Sequence, residues 1–374
     1  MNVCFVANSA WYLENFREST LREFSSFSSV RCLYPKGDSF STLTELSVAE
    51  DTFFLDASST NPIKELMSLF SLLWGLVRHR PDVVFSFNPK TNLYSLMACW
   101  MLRIPCVPNV SGVGVASQLD GIVGYTYRSL VRFFYRRADH VYFQNRDDYQ
   151  AFYNAGFIRK GAAEVIPGSG VDLSKFKPDH HESENVRFLM AARLITPKGV
   201  QEYIAAARQM LAKGAECEFV LAGVKDTSNR AVREALITSL EDEPGIHFAG
   251  HVKDMPALLE SIDCVVLPSY YPEGIPRSLI EAAAAGKMII TSDTPGCREV
   301  VKGCENGFLV QPKSVDDLVA AMSRLVELPI YERRKMKNAS REMAESYFDE
   351  NLIIERYKLT AHHLATKGKA FVGR

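Results

Sequence analysis

The sequence predicts an α/β protein built from two doubly wound, Rossmann-like sheets in tandem. The chain has 374 residues, and because domains of roughly 100 to 200 residues are usual, two domains are expected. Short apolar or β-branched runs alternate with longer amphipathic segments, which is the pattern of βα units feeding parallel sheets. The pattern stops at the turn-rich residues 167–170 and the polar residues 177–185, and then starts again.

The individual strands follow from these runs. The first series predicts strands near residues 2–7, 30–34, 52–55, 82–87, 106–110, 139–144 and 163–166. The second series predicts strands near residues 186–191, 217–222, 246–249, 263–267, 287–291 and 307–310. Helices fill the intervals between the strands.

The end of the chain has helical periodicity from residue 314 onward, and its last apolar face, which includes Tyr357 and Leu364, needs a surface to bury it. We expect this helix to return to the first domain. Residues 1–168, completed by the helix at about 351–374, would form one domain, and residues 169–350 the other. Ligands of open parallel sheets bind outside the carboxyl ends of the strands, so a cleft between two facing domains is the expected ligand site.

Composition excludes several classes of protein. Apolar residues make up 47% and charged residues 23%, which is the composition of a folded chain and not of a disordered one. With 43 Lys and Arg against 44 Asp and Glu, the net charge of -1 provides no general attraction for nucleic acid. The eight cysteines lack a C-x-x-C pair or zinc-site spacing, which indicates free thiols in a reducing cytoplasm.

Membrane association is predicted only at the surface, if at all. The longest apolar stretches, 66–77 and 93–102, are shorter than the roughly 18 to 20 residues that cross a bilayer. Within residues 121–137, Arg128, Arg132 and Arg136 are four apart on one helical face, among aromatic residues and without any acid. This pattern is typical of a helix on an anionic membrane, and equally of a packed helix with solvated arginines.

The segment PSYYPEGIPRSLIEA, residues 268–282, is the most informative in the chain. A strand ends here, a loop turns, and Pro276 suits the first turn of a helix. Gly274 permits close approach of the backbone, and the N–H groups of an opening helix form an anion site. A ligand that carries phosphate is therefore predicted at residues 274–276, Gly-Ile275-Pro.

Glu273 and Glu281 in this segment are eight residues apart, which is roughly 12 Å along a helix. Because glycosidase carboxylates stand about 5 to 9.5 Å apart, the pair is not expected to act on one bond. We expect the two carboxylates to hold the hydroxyl groups of different parts of one long ligand. The alternative is two ordinary solvated glutamates near a helix N-terminus.

Two cations, Arg193 and Lys198, follow the first strand of the second series and precede a helix. An arginine and a lysine at one loop can hold a diphosphate, the arginine through forked hydrogen bonds and the lysine as a point charge. In isolation such a pair is usually ordinary surface charge.

Taken together, these motifs resemble the retaining glycosyltransferases of the GT-B fold, specifically their large family 4, over nearly the whole chain. A Glu, seven residues and a second Glu match Glu273 to Glu281, and Gly170-Val171-Asp172 and Gly250 match two further motifs. The resemblance implies that Arg193 and Lys198 hold the donor diphosphate, that Glu281 binds ribose hydroxyls and that Glu273 contacts the donor sugar. It also implies that the base lies near His251 and Val252.

A narrower resemblance, to capsule and lipid-linked oligosaccharide transferases that use UDP-sugars, rests on four segments. They are Asn88-Pro89-Lys90, Ser111-Gly112-Val113-Gly114, Phe143-Gln144-Asn145 and residues 293–299, DTPGCRE. It implies acceptor-side roles for Asn8, Ser9, Lys90, Ser111 and Gly112. Many relatives have two glycines where this chain has Asn8-Ser9-Ala10-Trp11, and Ser111 stands where a histidine often occurs.

The reaction implied is transfer of a hexose or N-acetylhexosamine to a lipid-linked saccharide, with retention of configuration and without a metal ion or other cofactor. No Asp-x-Asp triplet occurs to hold a metal. Cys297, placed beside the donor, could be a nucleophile at a helix start or a small packing residue, and no histidine lies near it in sequence.

Other functions remain open at this point. A dinucleotide-dependent oxidoreductase would need G-x-G-x-x-G after a strand, and the chain has none. A GT-B sugar-nucleotide epimerase would act on the donor alone, and a non-catalytic nucleotide-sugar-binding subunit would keep the cations but give no turnover.

Overall fold

The computed structural model describes residues 1–37, 46, 48–56, 59, 61–112, 121–178, 185–240 and 242–372, with side chains up to residue 366. The chain divides into two compact units, Met1–Ser169 with Asn351–Arg374, and Gly170–Glu350. Ser169, which the sequence analysis assigned to the second domain, lies in the first unit.

The elements follow one another as alternating strands and helices. In order to the end of the first series they are β1 (Asn2–Val6), α1 (Ala10–Ser25), β2 (Ser29–Pro35), β3 (Ala49–Phe53), α2 (Pro62–His79), β4 (Val83–Phe87), α3 (Pro89–Leu102), β5 (Cys106–Val110), α4 (Gly121–Tyr135), β6 (Val141–Phe143), α5 (Arg146–Asn154) and β7 (Ala163–Val165). They continue with β8 (Val186–Ala191), α6 (Val200–Ala212), β9 (Cys217–Ala222), α7 (Glu234–Thr238), β10 (Ile246–Gly250), α8 (Met255–Glu260), β11 (Cys264–Leu267), α9 (Arg277–Ala284), β12 (Met288–Ser292), β13 (Gly307–Val310), α10 (Val315–Glu327), α11 (Ile330–Met343) and α12 (Glu350–Val372).

Both sheets are parallel and doubly wound, as the sequence predicts. The first has the strand order β3-β2-β1-β4-β5-β6-β7, and the second has the order β10-β9-β8-β11-β12-β13. The central strand β4, VVFSF, is buried at every position because helices cover both faces of the sheet. Strand β3 begins three residues before its predicted start, at Ala49, and the other strands begin within two residues of theirs.

The first sheet separates two apolar layers. Alternate residues of β1 point to opposite faces, so that Val3 and Phe5 pack with α1, whereas Cys4 and Val6 pack with α2, α3 and α4. The two layers define opposite faces of the first unit, and the helices of each layer have one side turned outward.

The terminal helix α12 belongs to the core of the first unit, as predicted. Ile353, Tyr357, Ala361 and Leu364 lie in the same buried cluster as the α1 side of the sheet. The Tyr357 ring packs edge-on against Phe85 at 5.2 Å and Tyr142 at 5.0 Å, and the Asn109 side chain donates a hydrogen bond to its hydroxyl. Helices α1 and α12 therefore cover this face of the sheet together.

The second sheet has its own core. Phe188 and Phe219 stack across β8 and β9 at 5.2 Å, and the Tyr203 hydroxyl of α6 donates to the carbonyls of Phe188 and Val220 at 3.0 Å each. These contacts fix α6 on the sheet. The loops that follow the strands therefore project from a rigid base.

We predict that Tyr357→Ala destabilises the first unit by about 3 to 5 kcal/mol, because it removes a fully buried ring and leaves a cavity. All three tryptophans, Trp11, Trp74 and Trp100, lie in the first unit, so urea unfolding followed by tryptophan fluorescence reports on this unit alone. Leu359→Ala, on the exposed side of the same helix, is the matched control and should change the unfolding free energy by less than about 0.5 kcal/mol. Equal effects of the two substitutions would contradict the packing described for α12.

Candidate functional site

The candidate site residues of the second unit lie in loops at the carboxyl ends of its strands. Arg193 and Lys198 follow β8, His251 follows β10, Glu273 follows β11, and Cys297 follows β12. Because all strands of the sheet are parallel, these loops emerge at one edge. The structure therefore brings together residues that are up to 104 positions apart in the sequence.

Hydrogen bonds join these loops to one another. The Tyr270 amide donates to the Pro197 carbonyl at 2.9 Å, which links the β11 loop to the β8 loop. The Thr294 hydroxyl donates to the Ser269 carbonyl at 3.1 Å, which links the β12 loop to the β11 loop. The Thr196 amide donates to the Arg230 carbonyl at 2.8 Å and so connects the loop after β9. Each loop thus constrains its neighbours.

Two glycines allow the loops to approach this closely. Gly199 has φ +82°, and a Cβ there would lie 2.3 Å from the Pro268 carbonyl oxygen. Gly296 also has φ +82°, and a Cβ there would lie 1.5 Å from the Gly274 carbonyl oxygen. Any side chain at either position would force the β11 loop to move.

The centre of the site is an ion pair between Lys198 and Glu273. The ammonium Nζ donates to Glu273 Oε2 at 2.5 Å, and each side chain is only 12% exposed. The hydroxyl of the fully buried Ser269 donates to Glu273 Oε1 at 2.7 Å. Both oxygens of the carboxylate are therefore engaged, and its orientation is fixed.

Three cations surround the ring of Tyr271. The guanidinium of Arg193 and the ammonium of Lys198 lie 5.9 Å from the ring centroid, and the guanidinium of Arg230 lies 5.5 Å from it. Aromatic faces attract cations at these distances. Mutual repulsion among three positive groups is offset here by the ring and by the Glu273 carboxylate, and an anionic ligand would relieve it further.

Glu281 lies on α9 and pairs with Arg277, whose Nε donates to Glu281 Oε1 at 2.6 Å. Burial raises the pKa of the Glu281 carboxyl above its ordinary value, and Arg277 acts in the opposite direction. A largely buried carboxylate that is held in place by an arginine is suited to accept hydrogen bonds from a diol.

The helix α9 begins at Arg277, one residue later than predicted, with Pro276 at the N-cap position. Pro276 supplies no side-chain hydrogen bond to the first turn. Gly274, Ile275 and Pro276 are buried, so this segment offers its backbone and not its side chains.

Two further predicted donor-side motifs differ in their surroundings. Gly250 has φ +62° at an irregularity of β10 and is followed by the exposed His251 and the half-buried Val252. In the other motif, the Val171 amide donates to the Phe348 carbonyl at 2.8 Å, and Gly170 packs on the backbone of Glu350. Gly170 and Val171 thus contact the end of the second unit, whereas the Asp172 carboxylate accepts a hydrogen bond from the Ser174 hydroxyl at 2.6 Å.

Cys297 is fully buried, and burial raises the pKa of its thiol to about 11. Full burial and the raised pKa both favour the neutral thiol, and so the packing alternative over the nucleophile. Its lack of exposed surface also corrects its placement as a donor contact. The Cys297 side chain packs in the hydrophobic core of the second unit and so supports the loop that follows β12.

The acceptor-side residues of the first unit have local structural partners. The Ser9 hydroxyl accepts from the Tyr12 amide at 3.2 Å and caps α1, and the Asn8 amide donates to the Asn88 side chain at 3.3 Å. Lys90 donates to the carbonyls of Asp56 and Ser59 and to Glu65 Oε1, all within 2.7 Å. These three bonds use the three N–H donors of the ammonium group. The predicted contact of Lys90 with the acceptor substrate is therefore corrected to a structural role.

The remaining residues of the first unit follow β5 or lie on α4. Ser111 is half-buried and Gly112 has φ +93°, whereas Val113 and Gly114 lie outside the described residues. Arg128, Arg132 and Arg136 are exposed on and just after α4.

Sequence reasoning missed four residues that complete the site: Arg230, Ser269, Tyr271 and Arg277. Ser269, Tyr271 and Arg277 are inside the segment singled out from the sequence, so proximity to Glu273 and Glu281 was the available signal. Arg230 gave none, because it lies 32 residues from Lys198 in a polar loop and reaches Tyr271 only through the fold.

Two protein-family models match the chain, one in each unit. Residues 172–343 match the family described as glycosyl transferases group 1, and residues 54–168 match the glycosyl transferase 4-like domain. The chain belongs to the GT-B glycosyltransferases that combine these two domains.

Curated relatives include two enzymes that act on lipid-linked sugars. The Campylobacter jejuni N,N'-diacetylbacillosaminyl-diphospho-undecaprenol alpha-1,3-N-acetylgalactosaminyltransferase is 27% identical over 96% of this chain and 97% of its own length. The Escherichia coli UDP-Gal:alpha-D-GlcNAc-diphosphoundecaprenol alpha-1,3-galactosyltransferase is 25% identical over 71% of each chain.

Solved structures share the fold. Anabaena HepE in complex with UDP superimposes with a TM-score of 0.79 at 20% identity, covering 97% of this chain and all of that one. Sucrose-phosphate synthase from Thermosynechococcus elongatus gives a TM-score of 0.78 at 17% identity over 98% of this chain and all of that one. At these identities the similarity establishes the fold alone.

Two features are absent from the residues that the structure describes. No helix among them is long and apolar enough to cross a bilayer. Over the same residues, no group of three or more His, Cys, Asp or Glu side chains is arranged to hold a metal ion.

We predict that Gly296→Ala destabilises the second unit by more than the roughly 1 to 2 kcal/mol that a left-handed alanine costs, because the Gly274 carbonyl must also move. Gly303→Ala is the matched control, since Gly303 has φ +57° with nothing within 4 Å of the added Cβ. Thermal unfolding followed by circular dichroism measures both. If the two variants lost the same stability, the contact between the β11 and β12 loops would not be as tight as described.

We predict that Glu281→Gln stabilises the chain increasingly, relative to the wild type, as the pH rises. The folded state holds the Glu281 proton more tightly than the unfolded state, so between the unfolded pKa, near 4.5, and the raised folded pKa the wild type loses stability with rising pH. Urea unfolding of both proteins from pH 4 to 8 measures the difference between their free energies of unfolding. The other titratable groups are the same in both proteins, so their contributions cancel. A difference that shrinks with rising pH would contradict the burial of this carboxyl.

Proposed function

We propose that this glycosyltransferase moves a hexose or N-acetylhexosamine from a UDP-sugar to a lipid-linked saccharide acceptor in the assembly of a surface polysaccharide or glycan. The observation that carries the proposal is the cluster of Arg193, Lys198 and Arg230 beside the oriented carboxylate of Glu273. Positive charge that can bind a diphosphate then lies at the same edge of the sheet as a carboxylate that can accept hydrogen bonds from sugar hydroxyls.

In the proposed complex, Arg193, Lys198 and Arg230 bind the diphosphate, and Gly274 and Ile275, in the loop before α9, add their backbone N–H groups. Glu281 accepts hydrogen bonds from the ribose, and the backbone near His251 and Val252 faces the base. Glu273, held by Lys198 and Ser269, accepts hydrogen bonds from the donor sugar. The carboxylate keeps its direction whether or not the sugar is present, which lowers the cost of ordering it on binding.

The reaction breaks the bond between the anomeric carbon and the β-phosphate oxygen. The electron pair stays on the phosphate, where Lys198 and the two arginines stabilise the added charge. An acceptor hydroxyl then bonds to the anomeric carbon from the same face, and its proton passes to the phosphate oxygen. Configuration is retained in this scheme, and no metal ion or other cofactor is required because the cations supply the positive charge.

The acceptor is proposed to be a saccharide on a polyprenyl diphosphate. Both relatives described above carry undecaprenol diphosphate in their names, and the first matches this chain over almost its full length. Asn8, Ser9, Ser111 and Gly112 are proposed on the acceptor side because they follow the carboxyl ends of β1 and β5. The reaction is proposed to take place in the cytoplasm, on the inner face of the membrane.

The test compares Lys198→Ala and Glu273→Gln with the wild type in an assay with a UDP-sugar and a polyprenyl diphosphate-linked saccharide. We expect transfer to fall at least about 100-fold in each variant, because a preorganised charge at the leaving group or sugar is lost. Lys225→Ala removes an exposed ion pair of the same unit, Lys225 with Glu234 at 2.7 Å, and should leave transfer unchanged.

Melting temperatures of all variants are needed alongside, because breaking a largely buried pair leaves one charge unpaired. Full transfer by folded Lys198→Ala or Glu273→Gln protein would refute the site assignment. Release of an epimerised UDP-sugar without acceptor would assign the site to an epimerase, and donor binding without any turnover would assign it to a binding subunit.

A further inference from the structure

Asn88 has a backbone conformation that is unfavourable for a residue with a side chain. Its φ of 73° and ψ of 144° lie close to a region that glycine almost alone adopts. Pro89 accounts for the ψ, because a residue before proline avoids the helical region, but such a residue normally has a negative φ. The positive φ of Asn88 therefore needs another explanation.

Helix capping does not supply this explanation. Arg80, with φ 43°, ends α2, and Arg103, with φ 57°, ends α3, each as a C-cap residue in the left-handed conformation. Helices commonly end in this way, because the left-handed residue helps to satisfy the last carbonyls. Asn88 instead precedes the first residue of α3, where extended backbone is usual, and its side chain makes no capping hydrogen bond.

In this conformation the Asn88 side chain reaches the loop that follows β1. Its Oδ1 accepts a hydrogen bond from the Asn8 amide at 3.3 Å. The Asn88 carbonyl accepts from the Asn92 amide at 2.8 Å, which begins the hydrogen bonding of α3. The residue is thus held by its side chain and by its backbone, and a strained conformation persists only where its surroundings fix it in this way.

Asn8 and Asn88 lie where the connections of the first sheet diverge. Strands β1 and β4 are neighbours, and the chain leads from β1 to β2 on one side and from β4 to β5 on the other. The helices that follow, α1 and α3, pack on opposite faces of the sheet. In open parallel sheets, ligands bind in the crevice that this divergence leaves outside the carboxyl ends of the strands. Asn88 therefore stands at the expected ligand position of the first unit.

The side chains that follow β1 and β4 offer neutral polar groups. Asn88 is half-buried, and no hydrogen bond in the described part of the chain engages its side-chain nitrogen. The side chain of Asn8, also half-buried, is likewise without a partner among those residues. The Lys90 ammonium is turned to other partners within the first unit. Amides donate and accept hydrogen bonds without carrying charge, which suits the hydroxyls of a sugar better than a diphosphate.

A second unfavourable feature lies beside the last residue of β4. The Arg17 side chain is fully buried, and its Nε and Nη1 atoms have no hydrogen-bond partner in the part of the chain that the structure describes. Its guanidinium lies 4.6 Å from the centroid of the Phe87 ring, and Nη2 donates to the Tyr12 hydroxyl at 3.5 Å. A buried charge with unsatisfied donors lowers stability. Two independent costs thus meet at the ends of β1 and β4, as is typical of a functional site.

We propose that Asn88 binds the terminal sugar of the acceptor and sets the preference of the enzyme among acceptor saccharides. The N–H groups of its side chain donate to an oxygen of that sugar, while Oδ1 stays with the Asn8 amide. The strained backbone fixes the direction of the side chain before the sugar arrives, and this preorganisation lowers the cost of binding. In the motif Asn88-Pro89-Lys90, the acceptor contact thus belongs to Asn88 and not to Lys90. The inference rests on the proposed function, because it requires a saccharide acceptor.

The experiment measures transfer to polyprenyl diphosphate acceptors that end in glucose, galactose, N-acetylglucosamine or N-acetylgalactosamine. Asn88→Gly removes the side chain and keeps the backbone, because glycine adopts a positive φ freely. This variant should melt no lower than the wild type. We expect its kcat/KM for the preferred acceptor to fall about tenfold or more, mainly through the acceptor KM, and its preference for that acceptor to weaken. The KM for the UDP-sugar should not change.

A conservative variant and a control separate binding from support of the loops. Asn88→Asp keeps the shape of the side chain and an oxygen for the Asn8 amide, but replaces the N–H donors by a hydrogen-bond acceptor. We expect the kcat/KM ratios among the four acceptors to change in this variant. Arg103→Gly also removes an exposed side chain from a residue with positive φ, at the far end of α3, and should leave transfer to every acceptor unchanged.

Folded Asn88→Gly protein with the wild-type kcat/KM for every acceptor would overturn the proposal. Unchanged ratios in Asn88→Asp protein would also overturn it, because they would limit Asn88 to its contact with the Asn8 amide. Failure of the proposed function has a different signature: wild-type protein that UDP stabilises against heat but that transfers to none of the four acceptors. That result would refute both proposals, whereas wild-type transfer with unaffected variants would refute this one alone.

Discussion

The ion pair of Lys198 and Glu273 joins two loops that come from non-adjacent parts of the chain, and both side chains are largely removed from water. Such a pair is favourable only when the geometry is good and the remaining hydrogen-bonding capacity is satisfied, and here Ser269 satisfies the second carboxylate oxygen. The contacts of the β8, β11 and β12 loops hold the two partners at this distance. Gly199 and Gly296 make those contacts possible, so the position of two charges depends on two residues without side chains.

The architecture was predictable because it depends on patterns that repeat along the chain. A strand buried on both faces, such as β4 with the sequence VVFSF, needs a run of apolar residues, and each run in this chain is bounded by turn residues. The return of α12 was predictable for the same reason, since Tyr357 and Leu364 make an apolar face that has no partner in the preceding segment. The start of β3 was harder to locate because its residues, AEDTF, are mostly polar and half-exposed at the sheet edge.

The candidate site was predictable only where its residues share one segment. Glu273, Glu281 and the loop between them are local, whereas the position of Arg230 over Tyr271 depends on the pairing of β9 and β11 with the two sides of β8. Lys90 shows the opposite error, since the sequence analysis predicted a ligand contact there and the structure shows a structural role. The family resemblance implied a ligand contact for Lys90, but its three hydrogen bonds go to the chain itself, and spacing in the sequence contains no information about such partners. Cys297 likewise needed the structure, because burial and not the neighbouring Arg298 determines its protonation.

Helix α12 has a consequence for the order in which the protein is made. The second unit is a continuous stretch of chain, Gly170–Glu350, and its residues are synthesised before the last helix is complete. The core of the first unit is incomplete until residues 353–364 have been synthesised. The half of the molecule that is translated first is therefore the last to complete its fold. During that interval Phe85 and Tyr142 lack the Tyr357 ring against which both pack in the complete structure.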